Sequence, residues 1–189
     1  MPDRVSNDPV PDTADLRSGV PMHDSLLALL PLIGTWRGTG TGVVASTGAT
    51  FDYGQQISFV HDGRPFLAYE ARSWLTDGDG TVIRQAWRES GFWRPGPGQD
   101  DVEAVIASNT GQALQFVGVA GDQRWDVHSI SAVPTPTARP VDGERRLYAI
   151  VDEELVYVSE LAPAGQPYAP HLNARLSRMQ AAASRPDRG

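Results

Sequence analysis

From Gly34 to about residue 180, apolar and polar positions alternate in short runs with a period of two. The runs lie at 34–46, 51–62, 65–75, 81–94, 101–109, 112–120, 123–133, 139–151, 154–162 and 171–180, and are rich in Val, Ile, Thr, Tyr, Phe and Trp. Asp/Gly pairs punctuate them, among them Asp62–Gly63, Asp142–Gly143 and the stretch Asp77–Gly80. Such residues accept the positive φ that tight hairpins need. About ten strands separated in this way predict an antiparallel meander. That many strands in a small domain close on themselves, because closure removes exposed edges. The predicted fold is all-β: a single antiparallel ten-stranded up-and-down β-barrel with a short N-terminal helix. The helix is read from Asp24–Leu32, one or two turns ending near Pro31.

The 189 residues suffice for one domain. Residues 1–22, rich in Asp, Pro and Ser, are expected as a disordered N-terminal tail. Residues 23–180 form the barrel domain, and 181–189 a flexible C-terminal tail. The apolar run Ser25–Ile33 is too short to span a bilayer. Net charge is -7, which argues against a nucleic-acid partner and against an anionic membrane surface. Cysteine is absent, so there is no disulfide framework or thiolate metal site; a reducing cytoplasm fits.

The stretch "GTWRGTGTG", Gly34–Gly42, carries the sharpest ambiguity. Gly40, Gly42 and Ala45 match G-x-G-x-x-A, with Asp62 at the offset of a ribose-binding acid. A dinucleotide site needs that motif after a strand and opening a helix. Here a proline-containing run precedes it and "VVASTGATF" follows, so the nicotinamide reading is set aside. As a strand, Trp36, Gly38, Gly40 and Gly42 share an inward face, opposite Thr35, Arg37, Thr39 and Thr41. An inward glycine row either lets the strand turn a corner or clears room for a ligand. Both readings stay open at this level. Phe51, Tyr53, Gln55, Ile57, Phe59 and His61 share a face of the second run, and Phe116, Trp125, Tyr148 and Tyr157 add bulk elsewhere. A cavity so lined suits a large, flat, apolar molecule.

No G-x-S-x-G, H-E-x-x-H or P-loop is present. The pairs Asp100–Asp101 and Glu153–Glu154 read as solvated turns, and Asp77–Gly80 as a hairpin turn lacking the distal acid of a calcium loop. Of four histidines, His23 and His128 read as surface residues and His61 as a core or rim histidine. His171 stands where an irregular segment, 162–170, feeds the last run. No histidine pair has chelate spacing for zinc. A single imidazole can still anchor a metal whose other ligands come from a cofactor, as in haem.

Four segments then resemble the nitrobindin family, in order over about 24–180: "GTWRGTG" (Gly34–Gly40), "FVHDGRPFLAYE" (Phe59–Glu70), "RESGFWRPGPG" (Arg88–Gly98) and "GQPYAPHLNARLSRM" (Gly165–Met179). The resemblance implies a barrel shaped like fatty-acid-binding proteins, with haem b, one per subunit, near its open end. It implies His171 as the axial iron ligand. It implies nitric oxide binding and conversion of peroxynitrite to nitrate at ferric haem, in a cytoplasmic homodimer. By the same resemblance Thr47 stands at the haem edge, with Ser46 as the ungapped alternative, and Arg139 pairs with a propionate. The rival expectation is a non-enzymatic carrier of a fatty acid, haem or another apolar ligand. A nitric-oxide sensor reporting to a partner protein is a further rival.

Overall fold

The computed structural model describes residues 9–17 and 19–179. A 3-10 helix, Asp24–Leu32, precedes ten strands. These are β1 (Gly34–Val43), β2 (Thr50–Val60), β3 (Leu67–Thr76), β4 (Val82–Pro95), β5 (Asp101–Ser108), β6 (Gln112–Gly121), β7 (Arg124–Pro134), β8 (Val141–Val151), β9 (Glu154–Pro163) and β10 (Ala169–Arg178). Each strand pairs antiparallel with its neighbours in sequence, and β1 pairs with β10 to close the barrel. The β8–β9 hairpin turns on Asp152 and Glu153, both at positive φ (52° and 64°), the geometry whose twist matches flanking strands.

Inward positions fill one end of the barrel. Trp36, Trp93, Trp125, Tyr53, Tyr148, Phe59 and Phe116 are all buried there. The 3-10 helix closes this end with Leu26, Leu29 and Leu32. Its carbonyls, which lack full intrahelical partners, are met by two core indoles. Trp36 Nε1 donates to Leu32 O and Trp125 Nε1 to Ala28 O, each at 2.8 Å. Arg178 stacks over the Trp36 ring at 4.0 Å and donates to the carbonyls of Ile33 and Pro31. Barrel closure and end plug thus share one tryptophan.

Part of the segment expected as a free tail is tied to this barrel. Thr13 bridges His61 through two backbone hydrogen bonds of 2.8 and 3.0 Å. Residues 1–8 and 181–189 lie outside the described residues. No described helix is long and apolar enough to cross a membrane.

The glycine row of β1 resolves in favour of close packing. A Cβ on Gly38 would fall 2.1 Å from Arg175 O, and one on Gly40 2.0 Å from Asn173 O. One on Gly42 would strike the Phe51 ring at 2.2 Å. The space these glycines leave is filled by the backbone of β10 and by Phe51. The hollow of the barrel lies elsewhere, at its other end.

Candidate haem site at the barrel mouth

On β10, Ala174 and Leu176 are buried and face inward, while Asn173 and Arg175 are exposed. Strict alternation would send His171 outward with them. A bulge intervenes. Pro170 pairs with Glu160 and Leu172 with Ser159, leaving His171 without a partner on β9. A bulge of this kind re-aims the side chain at the extra residue. His171 is accordingly half-buried and borders a cavity of about 540 Å³ inside the mouth. Its Nδ1 lies 3.2 Å from the carbonyl oxygen of Val43, the last residue of β1. A carbonyl can only accept, so this contact places a proton on Nδ1, and in the neutral ring the lone pair is then on Nε2. Nε2 makes no hydrogen bond to any described residue.

Phe51, Trp87, Ile106, Leu114, Leu161 and Leu172 give the cavity an apolar wall, while Glu89 and Glu144 also line it. The volume lies in the range typical of small-molecule sites. Arg139, in the loop between β7 and β8, stands exposed at the rim. Gln112 fastens that loop by donating from Nε2 to Arg139 O. A broader groove of about 870 Å³ meets the cavity at His171 and Leu172. Its far wall carries the exposed side chains of Asp126, His128 and Arg145 and suits a solvated surface.

The back of the cavity holds a cluster that sequence reasoning missed. Arg146 sits between two carboxylates. Its Nε and Nη2 donate to Glu144 at 2.8 and 2.9 Å, and its Nη1 and Nη2 donate to Glu89 at 2.8 and 2.7 Å. Nη1 also reaches Tyr148 Oη at 3.4 Å, so all five guanidinium N–H groups are engaged. Tyr69 donates to Glu89 at 2.8 Å. Burial disfavours the charged form of the Glu89 carboxyl, but the Arg146 guanidinium outweighs it and holds the group below its ordinary range. Beneath lie stacked Tyr148 and Tyr157, and the Tyr157–Tyr53 hydroxyl pair at 2.9 Å; Tyr53 donates onward to Asn173 O. Burial raises the phenol pKa of all three.

The signal for this cluster was in the pattern. Glu144 and Arg146 alternate in phase with buried Tyr148, and Glu89 in phase with buried Trp93. A charged residue on the apolar face of a strand is the mark of a buried pair.

The remaining expected residues fall as follows. Thr47 lies exposed in the turn joining β1 to β2, its hydroxyl accepting from Ala49 N, and is not among the cavity-lining residues. Ser46 is exposed in the same turn. His61 is buried, with Nδ1 accepting from Gly63 N. His128 is exposed, and His23 caps the 3-10 helix by accepting from Ser25 N. Asp77 Oδ1 accepts from Asp79 N and Thr81 N, the hairpin-turn role expected of it.

This donor set fits a planar apolar macrocycle that brings its own equatorial ligands: one imidazole whose Nε2 makes no protein hydrogen bond, an apolar wall and a cation at the rim. Residues 25–178 match the family described as "THAP4-like, heme-binding beta-barrel domain". The chain belongs to this family. Members similar to it include a protein of Streptomyces griseus named peroxynitrite isomerase, 44% identical over 90% of this chain and 92% of the relative. A ferric nitrobindin-like protein of Saccharopolyspora erythraea is 40% identical over 90% of this chain and 81% of its own. The crystal structure of Rv2717c from M. tuberculosis superposes with a TM-score of 0.73 at 30% identity, covering 84% of this chain and 99% of that one. The family assignment agrees with the nitrobindin resemblance read from the four motifs.

Proposed function

We propose that the chain holds one haem b per subunit in the mouth cavity through His171, binds nitric oxide there, and isomerises peroxynitrite to nitrate. The observation that carries this reading is the bulge that turns His171 to the cavity, with Nδ1–H committed to Val43 and the Nε2 lone pair unspent. Relatives named peroxynitrite isomerase support the activity.

Each residue then has a task. The Val43 carbonyl fixes the tautomer and ring orientation of His171 and raises its basicity toward a metal. The apolar walls take the faces of the macrocycle and exclude water from them. Arg139 offers a guanidinium to a propionate at the rim, and Thr47, in the neighbouring turn, a hydroxyl at the edge. A ferric haem iron supplies, when bound, a Lewis-acid centre that polarises the O–O bond of peroxynitrite. Nitrate contains the same atoms and electrons as peroxynitrite, so no side chain is required as redox partner or net proton donor. The resemblance brings a cytoplasmic homodimer into the same proposal, and the acidic balance of the chain suits a partner that is neither nucleic acid nor membrane.

Titration of the haem-free chain with hemin tests the site: a shifted, saturable Soret band is expected. A spectrum identical to free hemin overturns the reading. Stopped-flow decay of peroxynitrite with nitrate yield tests the activity separately.

A further inference from the structure

The rival ligand is a fatty acid, and a guanidinium is the side chain best suited to take its carboxylate. Arg146 carries such a group, deep in the barrel and 6% exposed. Yet none of its five N–H groups is free, because Glu144 and Glu89 take four and Tyr148 the fifth. Glu89 and Glu144 line the mouth cavity, whereas Arg146 does not and borders only the adjoining groove. One guanidinium between two carboxylates leaves a net negative charge at the inner end. An entering molecule meets the Glu89 and Glu144 side chains there, their largely buried carboxylates engaged with Arg146.

We propose that the Glu144–Arg146–Glu89 cluster is a selectivity element that turns carboxylate-headed ligands away from the inner end of the cavity. A carboxylate entering head-first would have to displace an existing charge pair or sit beside two like charges in a poorly solvated site, and either is costly. A ligand with acidic groups is then admitted only with those groups outward, toward Arg139. This orientation rests on the haem reading, since haem carries its acids along one edge; the rejection of carboxylate heads does not. The cluster is therefore a specificity device and takes no part in bond making.

The test uses the full chain, haem-free, loaded with the neutral fluorescent probe N-phenyl-1-naphthylamine. Displacement by decanol is compared with displacement by decanoate at neutral pH. In the wild type the alcohol is expected to bind more tightly, by on the order of tenfold to a hundredfold. In Glu89→Gln/Glu144→Gln, where Arg146 faces neutral amides, the ratio should reverse in favour of the acid. Taking the ratio cancels general loosening of the barrel. A ratio that does not move toward the acid in a folded variant overturns the proposal, because an acid held head-outward in the wild type does not sense the change at the inner end. Should the double variant not fold, Glu89→Gln alone must move the ratio in the same direction, and a ratio it leaves unchanged overturns the proposal equally. A parallel hemin titration of the wild type reports on His171 independently, so failure of the haem reading is distinguishable from failure of this one.

Discussion

The His171 ring and the Val43 carbonyl, 3.2 Å apart, join the two strands that close the barrel. The orienting partner of the imidazole is thus main chain. Because His171 is the unpaired residue of a bulge, removing its side chain leaves the β9–β10 ladder intact. His171→Ala should keep the far-ultraviolet circular dichroism of the wild type and lose the hemin-induced Soret shift. Val43→Ala, which keeps the carbonyl, should bind hemin as the wild type does.

Arg139 is exposed, so its contribution to a bound propionate is screened by water. Arg139→Ala should weaken hemin affinity by about two- to fivefold, the worth of an exposed ion pair, without moving the Soret maximum. Fluorescence quenching of the buried tryptophans by hemin measures this.

Arg146→Ala leaves Glu89 and Glu144 buried and unpaired. Loss of one partner from such a pair costs about 3–5 kcal/mol, read as a lower urea midpoint. Replacing the whole cluster with apolar residues of similar volume should cost less, because no orphaned charge remains.

Glu89 also sets a pH dependence. Its carboxyl is held below the ordinary value of 4.5, so the unfolded chain binds the proton more readily than the folded one. The stabilisation is therefore fully present above about pH 4.5 and is lost as pH falls through the depressed folded value. Urea midpoints measured down the acid range should fall more steeply for the wild type than for Glu89→Gln.

Gly38→Ala places a methyl group 2.1 Å from Arg175 O, a backbone atom that cannot swing away. A loss of about 1–3 kcal/mol or more is expected. Gly78→Ala meets nothing within 4 Å and should stay within about 0.5 kcal/mol of the wild type. Thermal melts of the two variants settle the contrast.

Much of this was legible in the chain. The ten runs became β1 to β10 with ends displaced by only a few residues, because inward and outward faces meet such different solvents that the period of two is enforced. The helix at Asp24–Leu32 was legible too, though as a 3-10 helix it carries Pro31 inside. The buried Glu144 and Arg146 were readable from their phase with Tyr148.

Local periodicity was enough to specify the strand pattern and the closure, and four motifs to specify the family. Tertiary structure decided where the room is and which way His171 turns. The β1 glycines could have bordered a hollow; only the nearness of the Arg175 and Asn173 carbonyls shows them packed. Alternation along β10 points His171 to solvent; only pairing with Glu160 and Ser159 on β9 creates the bulge that brings it to the cavity. Both are properties of distances between strands far apart in the chain, and periodicity within one strand carries no record of its neighbour's register.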